Sequence, residues 1–142
     1  MTGFNHTLAG CIIAVITPAP LVPFVAFASH FLLDATPHFG RNPQYKPYTK
    51  KFKRLLVVDA FACTASLLLA ICLFPDKWFI LGVGALFSTL PDFMWLLRGR
   101  VDWLRPFFRF AGWVQWGERP YGWIFELLYC GAFVLILLAL AS

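Results

Sequence analysis

The sequence predicts an all-α, polytopic integral membrane protein, and three observations carry that prediction. First, 60% of the 142 residues belong to the set AVILMFWYC and 13% are charged, whereas a soluble domain carries roughly 45–50% and about 25%. Second, the stretches 55–74, 78–97 and 121–140 are almost uninterrupted apolar runs. Each has about the 20 residues that a helix needs to cross a ~30 Å hydrocarbon core. Third, the net charge of +5 is concentrated in two short stretches between these runs. Positive charge placed in this way orients a membrane protein; it does not build a nucleic-acid surface. A soluble globule, a disordered chain and a nucleic-acid binder are thereby excluded, and the length allows a single transmembrane domain over 1–142.

The N-terminal apolar run, 7–35, contains Pro18, Pro20 and Pro23. Proline removes a backbone donor and clashes with the preceding helical turn. The run therefore predicts a short helix over 7–17, a turn, and a second helix over 22–35: a broken helical hairpin that returns His6 and the segment His30–His38 to one face. A single kinked crossing of the bilayer is the alternative, and it would move His6 to the opposite face. Residues 1–33 contain no Lys, Arg, Asp or Glu, which argues against a cleaved secretory signal.

Residues 37–54 hold six Lys or Arg and no acid, so the positive-inside rule makes them a cytoplasmic loop that attracts anionic lipid. The crossing 55–74 follows, then a tight turn at Pro75–Trp78 and the return crossing 78–97, with Trp78 and Trp95 as interfacial anchors. Residues 98–120 carry five arginines and two acids together with Trp103, Phe107, Phe108, Phe110, Trp113 and Trp116. That mixture predicts an interfacial amphipathic helix on the cytoplasmic side, with Arg98, Arg105 and Arg109 near one face. The last crossing is 121–140. Cys11, Cys63, Cys72 and Cys130 lie inside apolar runs without CxxC spacing, which is the pattern of buried thiols. Phosphate-loop, GxSxG, GxGxxG and zinc-finger patterns are absent.

Ionisable residues inside a membrane are costly and mark functional sites. Asp59, Asp92 and Glu126 each fall about five residues from the cytoplasmic end of their crossing. At ~1.5 Å per residue they lie roughly 7–8 Å below one interface. His30 and Asp34, at i,i+4, share a helix face. His6 and His38 reach the same level in the hairpin. Imidazoles and carboxylates together form a donor set for a divalent metal, zinc first and iron or manganese next. A catalytic zinc keeps three protein ligands and one open position, and lowers the pKa of its water to about 7. The expected metal ligands are His6, His30, Asp34, Asp92 and, as a further one, His38. Asp59 and Glu126 are the expected general-base or ligand-orienting carboxylates.

Each residue also has a structural alternative. His30 and Asp34 can form a buried hydrogen bond. His6 can cap a helix or contact headgroups, and His38 can be a loop residue beside Pro37. Asp92 can cap Phe93–Leu96. Asp59 can pair with Arg54 or Lys53, and Glu126 with Arg119 or Arg98.

The segments Asn5-His6-Thr-Leu-Ala-Gly10, Ser29-His30-Phe-Leu-Leu-Asp34-Ala-Thr-Pro37-His38 and Leu90-Pro91-Asp92 resemble small bacterial inner-membrane proteins of the YdjM type, described as membrane-bound metal-dependent hydrolases. The resemblance covers roughly residues 3–40 and 84–96. It implies a multi-helix protein of the bacterial inner membrane with ligands at His6, His30, Asp34 and Asp92, and His38 as a further one. Pro91-Asp92 is followed here by Phe93, Met94 and Trp95, where the family has a further Asp and His. The expected function is hydrolysis of a lipid or lipid-linked ester or phosphoester at the cytoplasmic leaflet, with membrane lipids as partners. A small transporter or proton-binding protein, and a non-catalytic membrane adaptor, are the alternatives from other classes.

Overall fold

A computed structural model describes residues 1–40 and 50–142; residues 41–49 of the basic stretch lie outside the described residues. Among these, the elements are α1 (Gly3–Ile16), α2 (Val22–Asp34), β1 (His38–Phe39), α3 (Lys50–Leu73), α4 (Trp78–Met94), α5 (Arg105–Val114), β2 (Glu118–Arg119) and α6 (Trp123–Ala141), with short 3₁₀ turns between several of them. The all-α expectation holds, with one addition: β1 and β2 pair in parallel, His38 opposite Glu118. Three helical stretches, Lys53–Leu73, Pro75–Leu97 and Trp123–Ala141, are long and apolar enough to cross a membrane.

The proline cluster acts as expected. Thr17 ends α1, Ala19–Leu21 form a 3₁₀ turn, and Pro23 sits in the first turn of α2, where its missing N–H costs nothing. The two helices form an antiparallel hairpin, since His6 of α1 lies 3.1 Å from Asp34 at the end of α2. The hairpin tip reaches the α3–α4 turn, where Lys77 Nζ donates to Val15 O at 3.1 Å.

Helix α1 is the central element and packs most extensively on α4, then on α3, α2 and α6. Gly10 and Gly84 make that proximity possible, because a Cβ on either would collide with the carbonyl oxygen of the other. Small residues at a crossing let helix backbones meet closely where there is no water to drive association. Around this crossing Leu8, Cys11, Ala14, Val22, Ala70, Leu81, Ala85 and Leu137 form the apolar core. The outer faces of α3, α4 and α6 stay apolar and uncovered: Phe61, Leu68, Phe79, Leu86, Leu127 and Leu135 are all exposed. A contiguous apolar exterior of this size marks an interaction surface, and it lies on the helices that are long and apolar enough to cross a membrane.

Four boundaries differ from the sequence expectation. Helix α1 starts at Gly3 instead of residue 7, so His6 is inside the helix. Helix α3 starts at Lys50, five residues earlier than expected, so part of the basic stretch is helical and not loop. Of 98–120 only Arg105–Val114 is α-helix; Arg105 and Arg109 lie on it, while Arg98 reaches the same neighbourhood from the preceding turn. Helix α4 runs on through Pro91 to Met94, so Asp92 lies within the helix and does not cap a new one.

Candidate metal centre

Helix α1 begins with no side-chain cap of its own, although the first four N–H groups of any helix lack intrahelical partners. Two distant carboxylates supply them. Asp59 of α3 accepts from Gly3 N at 2.9 Å and Phe4 N at 3.2 Å. Glu126 of α6 accepts from Thr2 N at 3.2 Å, Thr2 Oγ1 at 2.5 Å and Asn5 Nδ2 at 2.7 Å. It also accepts from Phe39 N at 3.1 Å, which ties β1 to the same point. Negative charge at a helix N-terminus is stabilising. The structure thus gives both expected base candidates to the backbone of α1, and in place of pairing with Lys53, Arg54, Arg98 or Arg119 they fix where His6 stands.

His6, His30 and Asp34 then meet. The two imidazoles stack with centroids 4.0 Å apart and 21° between their planes. Asp34 Oδ1 lies 3.1 Å from His6 Nε2, and Asp34 Oδ2 lies 3.3 Å from His30 Nε2. All three residues are at most 2% exposed. Asp92 Oδ1 is 3.7 Å from His30 Nε2. Gln115 Nε2 donates to Asp34 Oδ2 at 3.3 Å from the segment after α5. The α-amino group of Met1 lies 2.5 Å from Asp34 Oδ1; a cation entering the cluster displaces that group or takes its nitrogen as a further donor.

One hydrogen bond decides the protonation of His30. Its Nδ1 lies 2.8 Å from Ser88 O. A carbonyl only accepts, so Nδ1 carries the proton. Nε2 then faces two carboxylates, an arrangement that is favourable only if a proton or a metal ion sits between them. A second imidazole N–H donated to a backbone carbonyl is the usual way a ligating histidine is held. Pro91 lacks the N–H that would otherwise bond the carbonyl of Phe87, and the neighbouring Ser88 carbonyl accepts the hydrogen bond from His30 Nδ1–H.

The donor set fits a divalent metal. The ligand atoms of His6, His30 and Asp34 lie within 4.8 Å of one another. Metal–ligand bonds of 2.0–2.1 Å in a tetrahedron place neighbouring ligand atoms about 3.3 Å apart, and the two Asp34 contacts are already at that separation. Among the described residues, Asn5 Oδ1 and His6 Nδ1 are buried without a hydrogen-bond partner, an unusual pair of orphans for a finished core.

His38 is also buried, but it is not part of the three-residue group. Its Nδ1 donates to Thr36 O at 2.8 Å, and burial lowers its pKa below the ordinary imidazole value. The structure therefore brings His6, His30 and Asp34 together, places Asp92 at their edge, sets His38 apart, and assigns Asp59 and Glu126 to capping. Sequence reading missed Gln115 and the Ser88 carbonyl. Gln115 carries a signal, being a lone amide among aromatics; a backbone carbonyl carries none.

Fold and site together define an all-α protein with three helices of membrane-crossing length and a buried His–His–Asp group able to hold a metal ion. Comparison with known proteins found no matching family model, no matching curated protein and no matching solved structure.

Proposed function

We propose that the chain is a metal-dependent hydrolase of the membrane, acting on a lipid or lipid-linked ester or phosphoester. The single observation that carries this is His30: Nδ1 is pinned to Ser88 O while Nε2 faces Asp34 and Asp92. His6, His30 and Asp34 would hold the ion, zinc first by donor type. A divalent ion bound there supplies Lewis acidity and a nucleophile at neutral pH. Asp92, 39% exposed at the edge of the group, would be the base for a water there, whereas Asp34 is sealed in. Gln115 holds Asp34 from above, and Asp59 and Glu126 hold the backbone that carries His6. The resemblance to the YdjM-type proteins and the arginine-rich 98–120 segment support a site at the cytoplasmic face of a bacterial inner membrane.

A transporter needs a polar route to the other end of the bundle. Among the described residues, the buried polar side chains are Asn5, His6, Thr7, His30, Asp34, His38, Ser88 and Glu126, all at or beside the cluster, which favours a one-sided site.

The test is metal content by mass spectrometry on detergent-purified full chain, wild type against a His30→Ala/Asp34→Ala double variant, followed by a screen of lipid phosphoesters and esters. The expected result is about one zinc, iron or manganese per wild-type chain and none in the variant. Equal metal in both, or none in the wild type after incubation with zinc, overturns the proposal.

A further inference from the structure

Three of the five arginines of the 98–120 segment line one cavity, independently of the metal centre. Arg98, Gly99, Asp102, Arg105, Phe108 and Arg109 line an open cavity of about 300 Å³. Gly99 adopts φ +79°, a left-handed backbone that side chains disfavour, and it turns the chain so that Arg98 joins two arginines from α5. Arg98 is backed by the Trp95 ring, 4.9 Å from guanidinium carbon to centroid, and Phe108 forms an apolar wall, packed on Trp95 at 5.5 Å. Asp102 pairs with Arg105 at 2.7 Å, so three guanidiniums and one carboxylate leave the cavity a net charge of two. Guanidinium forks match phosphate oxygens two at a time, and a cavity of this size is at the small end of ligand pockets.

The rest of the segment points to the source of the phosphate. Trp103, Phe110, Trp113 and Trp116 belong to the same 98–120 stretch and are all exposed. Tryptophan and other aromatics collect where headgroups meet acyl chains. We infer that this cavity binds the phosphate group of an anionic lipid, with the guanidiniums on the phosphate and the exposed aromatics of the same segment in the acyl boundary.

Calorimetric titration of the detergent-purified full chain with dihexanoyl phosphatidic acid tests it, with dihexanoyl phosphatidylcholine and inorganic phosphate as comparators. Phosphatidic acid should bind at least tenfold more tightly than either comparator. The variant R98Q/R105Q/R109Q should weaken phosphatidic acid binding tenfold or more, while R119Q, which alters an arginine outside the cavity, should match wild type. Asp102→Asn should tighten binding several-fold, a gain that a misfolded protein cannot produce. Equal weakening by R119Q and the triple variant overturns the site. Inorganic phosphate binding as tightly as phosphatidic acid overturns the lipid source in favour of a soluble phosphate. Phosphatidylcholine binding as tightly overturns the role of charge.

Discussion

The two ends of α1 are built on different physics. In its first two turns Asn5 and His6 are buried, and directed hydrogen bonds tie this end to Asp34, Asp59 and Glu126, 28 to 124 positions away in sequence. Further along, Leu8, Cys11 and Ala14 join Leu81, Ala85 and Leu137 in the apolar core, with Lys77 Nζ on the backbone carbonyl of Val15 beside them. Apolar packing accepts many arrangements of similar volume. A buried polar group accepts few, because leaving it unpartnered costs about 1–3 kcal/mol. The polar end therefore specifies one geometry, and the apolar end holds the helices close enough for that geometry to form. Substitutions at the two ends should consequently separate metal retention from stability.

The sharpest separation is expected at Asp34. Asp34→Ala removes the one carboxylate that, among the described residues, touches both imidazoles, so bound metal should fall from about one per chain to none. Breaking a buried charge cluster from one side should also cost about 3–5 kcal/mol. Metal analysis and thermal unfolding in detergent check the two parts, and retention of metal would break the comparison at its strongest point.

Next is Gly84→Leu, at the opposite end of the contrast. The new side chain meets the backbone of Gly10, which cannot yield as a flexible side chain would. A loss of about 1–3 kcal/mol is expected, with metal content per folded chain unchanged.

Glu126→Gln tests the link between the two regions. The amide keeps the shape but loses the charge that α1 and Phe39 N share, so a cost of about 1 kcal/mol is expected. Metal affinity should fall as well, since His6 rides on the same turns. Unaltered zinc affinity measured by competition with a chelator would show that α1 holds His6 without its cap.

The smallest effect concerns Glu118, opposite His38 in the strand pair and half-buried. Burial raises its pKa. For an acid whose folded pKa lies above its unfolded one, the penalty is absent at low pH and complete above the folded pKa. Wild type should therefore lose a little stability as pH rises through and above the ordinary carboxylate range. Glu118→Gln should flatten that part of the profile, read as melting temperature against pH.

Much of this architecture was legible in local sequence. Pro18, Pro20 and Pro23 determined where the hairpin turns, since a missing backbone donor acts wherever it is placed. Hydropathy runs marked the three long helices to within five residues, because apolar length is a property of contiguous sequence. His30 and Asp34 share a face by helical spacing alone, and the common level of Asp59, Asp92 and Glu126 follows from counting along each run.

Tertiary structure alone decided what those groups do. Counting made Asp59 and Glu126 base candidates, with pairing to nearby lysines and arginines as the alternative, but the strongest nearby demand was the row of N–H groups at the start of α1, and only the folded bundle brings Thr2 to Glu126. The early start of α1 follows from the same fact: carboxylates from α3 and α6 satisfy a helix end that its own residues do not cap. The stack of His6 on His30, the Ser88 carbonyl that sets the His30 tautomer, and the arrival of Arg98 beside Arg105 and Arg109 are also invisible in one dimension. Each depends on the distance between separate helices, which is set by the whole packed bundle, and local spacing carries no record of it.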